Sequence, residues 1–209
     1  MNWMDMSLRD FQAALASSSP TPGGGTAAAV ALGQAASLSI MVSDLTLNNE
    51  KWKEGWAIAE RVQQVAIPLL HRAGSLATED SDAFDSVMES FKLPKNTEEE
   101  IDHRRKTIRS ATLHAAEVPF QTAQHALELL NLLPELALKG NSNAASDIGV
   151  AGLLASAAAK GAMFNVEINL DSLPEDHGAH LREAVPVMKD SMKKASREVM
   201  DAVRQRMAS

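Results

Sequence analysis

The chain has 209 residues, 27 acidic against 20 basic side chains for a formal charge of −7, and neither cysteine nor tyrosine. The missing thiols exclude disulfides, zinc–thiolate centres, iron–sulfur clusters and a thiolate nucleophile, and they fit a reducing, cytoplasmic setting. The acidic balance argues against a nucleic-acid partner, whose binding rests on neutralising phosphates.

Residues 1–15 carry acidic side chains and no long apolar run, so they do not read as a signal peptide. Ser7 is a candidate N-cap for a first helix over about 7–15. The segment Ser17-Ser18-Ser19-Pro20-Thr21-Pro22-Gly23-Gly24-Gly25-Thr26 then breaks the chain, because two prolines and three successive glycines do not belong in a helix interior. An apolar helix over about Thr26–Leu47 follows. Gln34, Asp44 and several Ser and Thr interrupt it, which marks a buried core helix rather than a membrane span. Ala27, Ala31 and Ala35 lie on one stripe of it, where another helix can approach closely.

Ile58, Val62, Val65, Leu69, Ala73 and Leu76 recur at intervals of three and four and predict a helix over about 50–77, kinked at Pro68. A separate helix is expected over about 79–91, opened by Glu79, Asp80, Asp82 and Asp85. Thr97 followed by three glutamates reads as the N-cap of a long helix over about 98–132 with Pro119 inside, and Gly140 as a helix-ending glycine. A polar loop spans 141–147. A second helix of small residues over about 148–165 is the natural partner of the first apolar one. A charged helix over about 175–207 closes the chain. Period-two alternation is confined to about 165–170. The expected fold is all-α, one domain over 1–209: a bundle of long, partly kinked helices around a central pair rich in small residues.

Several clusters could carry chemistry. His103, His114 and His125 share a helix face, but eleven residues is about 16 Å, too far for one metal to touch two of them. Gly23, Gly24 and Gly25 precede a helix whose free N–H groups suit an anion, although no P-loop lysine follows; they could equally be a turn for close packing. In Glu79–Asp85 the helix dipole explains the acids, while several carboxylates together could raise one pKa toward neutrality and make a general acid or base. Lys95 in Leu-Pro-Lys could be a solvated loop charge or meet a ligand carboxylate. Capping accounts for Ser146 or Asp147.

Five segments in order carry a resemblance. They are residues 17–26, Asp80-Ser81-Asp82-Ala83-Phe84, Phe91-Lys92-Leu93-Pro94-Lys95, Gly140-Asn141-Ser142-Asn143-Ala144-Ala145-Ser146-Asp147 and Asn165-Val166-Glu167-Ile168-Asn169-Leu170. Together they resemble the cyclodeaminase domain of formiminotransferase-cyclodeaminase, including stand-alone relatives often called methenyltetrahydrofolate cyclohydrolases, over about residues 5–205. The resemblance implies an all-α homodimer, a tetrahydrofolate derivative as ligand, and no metal or further cofactor. It implies Asp80 as the catalytic acid/base, Lys95 against the glutamate tail or the pterin side, and Gly23–Gly25 with Asn141 and Asp147 as pocket lining. The expected reaction is formimidoyltetrahydrofolate cyclodeamination to 5,10-methenyltetrahydrofolate and ammonia, with methenyl hydrolysis as the alternative. The rival of another class is a helical folate-binding or scaffold protein that has lost the chemistry.

Overall fold

The computed structural model describes residues 2–208, and among these every regular element is helical. The six α-helices are α1 (Leu8–Leu15), α2 (Gly24–Leu47), α3 (Trp56–Ser90), α4 (Glu98–Lys139), α5 (Ala145–Asp171) and α6 (Ala179–Met207). Short 3-10 turns at Trp3–Asp5, Glu50–Gly55 and Ser142–Ala144 connect them. Pro68, Pro119, Pro134 and Pro186 all lie inside helices, and none ends one.

The helices start where side chains satisfy their free N–H groups. Ser7 Oγ accepts from the Asp10 amide. Thr97 and Glu100 form a capping box at α4, with three glutamates in the first turn to meet the helix dipole. The core is one continuous cluster, with Leu32, Leu76, Leu129, Leu133, Ile148 and Val166 fully buried. α2 and α5 pass antiparallel at its centre, close enough that a Cβ on Gly161 would sit 3.5 Å from the Ala28 methyl. The small residues of α5 also serve α6. A Cβ on Gly152 would come within 2.5 Å of Val199, and one on Gly149 within 3.3 Å of Val203. Both α2 and the 142–171 segment are long and apolar enough to cross a bilayer, yet about half of each window is buried inside the protein.

Three expectations are corrected. The helices expected over 50–77 and 79–91 are one helix, α3, preceded by the 3-10 turn at Glu50–Gly55. No Gly or Pro separates them, and the buried stripe runs on through Ala73, Ala77, Ser81 and Ala83. Gly24 and Gly25 form the first turn of α2 rather than a loop, as the N-terminal turn tolerates residues that the interior does not. The alternating 165–170 segment is helical, the last turns of α5. Gly140 follows α4 as expected, but with φ −74° it is not left-handed. It is glycine for space, since a Cβ there would lie 2.5 Å from the Leu136 carbonyl oxygen.

Candidate active site

Continuity of α3 changes the meaning of the acidic cluster. Asp80 lies 24 residues into that helix, so neither end of α3's own dipole favours a charge there. Instead its carboxylate reaches the N-terminus of α2. Thr26 Oγ1 donates to Asp80 Oδ2 at 3.1 Å, and the Thr26 backbone N–H donates to the same carboxylate. Gly23, the N-cap of α2, has no side chain to offer, and a carboxylate from another helix does its work. Gly25 makes room for this, because a Cβ there would overlap the Asp80 carboxylate. Gly23 is extended, with φ −122°, and a Cβ on Gly24 would meet nothing within 4 Å.

Behind the carboxylate runs a chain of polar contacts. Trp3 Nε1 donates to Ser81 Oγ at 2.9 Å, and Ser81 Oγ lies 3.0 Å from Thr26 Oγ1. Thr26 spends its one hydroxyl proton on Asp80, so Ser81 donates to Thr26 and the chain runs Trp3 → Ser81 → Thr26 → Asp80. Burial pushes the Asp80 carboxyl above its ordinary value, and the two hydrogen bonds from Thr26 offset part of that rise. Asp82 and Asp85 are exposed on other faces of α3 and take no part in either effect.

Asp80 opens into a cavity of about 220 Å³ lined by Pro20, Thr21, Gly23, Gly24, Gly25, Phe84, Val87, Ala115, Asn165 and Asn169. The two asparagines, one turn apart on α5, are fixed by their amide groups. Asn165 Nδ2 donates to the Gly161 carbonyl at 3.0 Å, and Asn169 Nδ2 donates to the Ala115 and Asn165 carbonyls at 2.8 Å each. With the NH₂ groups so engaged, each side chain keeps its Oδ1 as an acceptor. The lining therefore brings together one carboxylate, two asparagines with unspent Oδ1 acceptors, the glycine start of α2 and an aromatic wall at Phe84.

The site thus joins Asp80 to Gly23, Gly24 and Gly25, and leaves three expected residues outside. Lys95 is exposed in the connection between α3 and α4 and does not line the cavity. Asn141 sits at the opposite end of α2. Its amide N–H donates to Thr46 Oγ1 at 3.1 Å and its Nδ2 to the Leu45 carbonyl at 3.3 Å. From Gly24 to Thr46 is about 33 Å of helix. Asp147, in the first turn of α5, is about 27 Å along that helix from Asn165. The 141–147 segment, expected as a loop with Ser146 or Asp147 as a cap, is a 3-10 turn running straight into α5 with Ala144 at the N-cap, and within one chain it cannot line this cavity. Thr26, Ser81, Trp3, Asn165 and Asn169 enter the site unannounced as individual residues, although all but Trp3 lie in the motifs quoted above. Among the described residues no three His, Asp or Glu side chains gather as metal ligands.

The chain as a whole, over nearly all of its helices, matches a known group of proteins. The family model described as formiminotransferase-cyclodeaminase covers residues 7–186. The chain belongs to this family. A methenyltetrahydrofolate cyclohydrolase from Methylorubrum extorquens is 38% identical over 168 residues, 80% of this chain and 81% of that protein. A formimidoyltransferase-cyclodeaminase from Mus musculus is 35% identical over 83% of this chain, which spans about a third (32%) of that longer protein. The crystal structure of formiminotetrahydrofolate cyclodeaminase from Thermotoga maritima superposes with a TM-score of 0.85 at 26% identity, covering 97% of this chain and 98% of that one. The family places this chain among enzymes of folate one-carbon metabolism, and the match in structure extends over all six helices.

Proposed function

We propose that this family member closes the one-carbon bridge of tetrahydrofolate as a formimidoyltetrahydrofolate cyclodeaminase, with Asp80 as the single proton carrier. The observation that carries this is one carboxyl of raised proton affinity facing an otherwise uncharged cavity. N10 attacks the amidinium carbon held at N5, and Asp80 takes the N10 proton. The C–N bond to the amino group then breaks as Asp80 returns that proton to the departing nitrogen. Ammonia and 5,10-methenyltetrahydrofolate result. One carboxyl suffices because the proton taken and the proton given are the same, and burial brings its pKa toward the working pH. The Oδ1 atoms of Asn165 and Asn169 are acceptors for the N–H groups of the pterin edge. The protein's part in this C–N exchange is proton transfer, with the folate as the only ligand and no metal or further cofactor.

A second reaction is favoured by the cyclohydrolase relative that this chain matches over 81% of its length. In it Asp80 takes a proton from water attacking the methenyl carbon and gives it to N5 as the N5–C bond breaks, while the remaining hydroxyl proton leaves to solvent as the formyl C=O of 10-formyltetrahydrofolate forms. Absorbance of the methenyl group separates the two. Growth of that absorbance from 5-formiminotetrahydrofolate with ammonia release identifies the cyclodeaminase. Its decay faster than the spontaneous rate identifies the cyclohydrolase. Silence in both from folded protein leaves the non-catalytic folate-binding or scaffold reading.

We also propose that the enzyme acts as a cytoplasmic homodimer. Val150, Leu153, Phe164 and Ile168 fall on one face of α5 and are 47–67% exposed, and Met41 and Leu45 of α2 are also exposed. α2 and α5 are antiparallel. A two-fold axis across the middle of this face would therefore lay the 141–147 loop of the partner subunit, with its Asn141 and Asp147, over the Gly23–Gly25 end of this one. Light scattering is expected to give twice the chain mass at micromolar concentration. Ile168→Glu is expected to give a folded monomer with little activity; a wild type that is already a monomer ends the proposal.

A further inference from the structure

The cavity of about 220 Å³ is smaller than the roughly 300–1,000 Å³ of sites that enclose a drug-sized ligand, so it holds the reacting end of a folate and not the whole molecule. The direction of the remainder is set by α3 and α4, which run antiparallel in a constant register. Arg72 Nη2 donates to Gln121 Oε1 at 2.7 Å, Asp80 and Ala115 line the same cavity, and Arg104 Nη2 donates to the Phe91 carbonyl at 3.1 Å. The step from Asp80 to Phe91 on α3 and the step from Ala115 to Arg104 on α4 are each eleven residues. Eleven residues is about 16 Å and returns within about 20° of the starting face. Phe91 therefore continues the stripe of Asp80, Phe84 and Val87, and Arg104 continues the stripe of Ala115. Phe84 and Phe91 are 40% and 52% exposed along this path, flat apolar surface for an aromatic ring.

Arg104 stands at the end of the path with its binding capacity largely unspent. Its guanidinium lies over the Phe91 ring at 5.6 Å. It is half-buried, its Nε is buried with no hydrogen-bond partner, and among the described residues no carboxylate lies within 4 Å of it. With one Nη2 hydrogen on the Phe91 carbonyl, the guanidinium keeps Nη1 and the second Nη2 hydrogen as donors for a carboxylate. The aromatic arm of a folate, from N10 through the ring and amide to the first carboxylate, is roughly 10 Å long at bond lengths of ~1.4 Å. The glutamate side chain carries a second carboxylate roughly 4 Å further, toward the guanidinium beside the Phe91 carbonyl. Lys95, in the connection that joins Phe91 to the helix of Arg104, belongs to this same end.

We propose that Arg104 is the specificity residue for the anionic glutamate tail, binding its carboxylate at the far end of an aromatic-floored groove that begins at Asp80. This rests on the folate reading above. The test compares the wild type with Arg104→Met, which keeps the apolar stem over Phe91, on two substrates: the tetrahydrofolate derivative that the wild type turns over and its pteroate analogue without glutamate. The expected wild-type preference for the tailed substrate is roughly 10–100-fold in KM, the size of one charge-assisted contact. In Arg104→Met that preference is expected to vanish through a higher KM for the tailed substrate, with kcat on both substrates and KM for the pteroate unchanged. A residue that merely fastens the end of α3 would raise KM for both substrates equally, or lower kcat, and either result overturns the assignment, as does a full tail preference in the variant. If Arg104→Met does not fold, Arg104→Lys keeps the charge and loses the fork, and it is expected to lose at least half of the preference on a logarithmic scale; an unchanged preference overturns the assignment. A wild type inactive on both substrates sinks the folate reading and this one with it, whereas an active wild type with no tail preference sinks Arg104 alone.

Discussion

Asp80→Asn is expected to lower kcat by about 10²–10⁴-fold, the usual contribution of a positioned acid/base, with helical content unchanged and a melting temperature at pH 7 no lower than that of the wild type. The amide replaces the carboxylate in shape, and its Oδ1 still accepts from the Thr26 hydroxyl and N–H. What disappears is the capacity to take and release a proton. The stability expectation follows from the direction of the pKa shift. Burial raises the Asp80 carboxyl, so its ionised form is disfavoured in the folded state relative to the unfolded chain. Such a group weakens the fold above its folded pKa, and the penalty fades as the pH falls toward the unfolded value of about 3.9. The asparagine variant carries no such penalty at pH 7. Steady-state rates and thermal melts on the two proteins check both halves. Equal rates would end the catalytic assignment and leave Asp80 as a cap for α2. A melting temperature several degrees lower would mean that the charge itself holds the two helices together.

Helices were legible wherever the apolar stripe or the capping chemistry was strong. Ser7, Thr97 with Glu100, and the pair of small-residue helices all fall in the structure as the sequence suggests. The errors cluster where a local signal has two causes. Acids at 79–85 look like a helix start because carboxylates gather at positive helix ends, but here one of them serves the positive end of a different helix, 54 residues earlier in the chain. That interaction is long-range and leaves no periodic trace. The alternation over 165–170 has a similar origin. Asn165 and Asn169 face the cavity while Phe164 and Ile168 face outward, and polar residues one helical turn apart beside apolar ones also alternate along the sequence.

Much the same divides the site. Asp80 and the glycines lie in motifs whose residue types already suggest chemistry, and the structure brings them together. Arg104 had no such signal: it is one of several basic residues in a charged stretch of α4, and only the helix register puts it on the line from Asp80. Asn141 and Asp147 stand in a motif that the resemblance ties to the pocket, yet their end of the molecule is a full helix length away. Sequence carries the association, the geometry of a single chain keeps it apart, and the homodimer proposed above would be one means of realising it.

Gly24 and Gly25 are expected to separate sharply when each is tested alone. Gly25→Ala is expected to reduce activity by at least about 10²-fold and to destabilise the fold by about 1–3 kcal/mol, the usual range for overpacking a well-filled site. Its new methyl would occupy the space of the Asp80 carboxylate, and the obstacle is not the free end of a flexible chain. Asp80 is tethered by the Thr26 hydroxyl and N–H, with Ser81 and Trp3 behind them, so it can retreat only by giving up those bonds and leaving the cavity. Gly24→Ala is the matched stability control. The same methyl, one residue earlier in the same helical turn, meets nothing within 4 Å. Alanine is also the better helix former by up to about 1 kcal/mol, so this variant is expected to melt at or above the wild-type temperature. Thermal melts of the two variants side by side therefore weigh a steric clash against a backbone preference with identical added atoms. If both melt alike and above the wild type, the carboxylate moves aside freely, and the contact between Asp80 and the start of α2 is too loose to position a proton carrier.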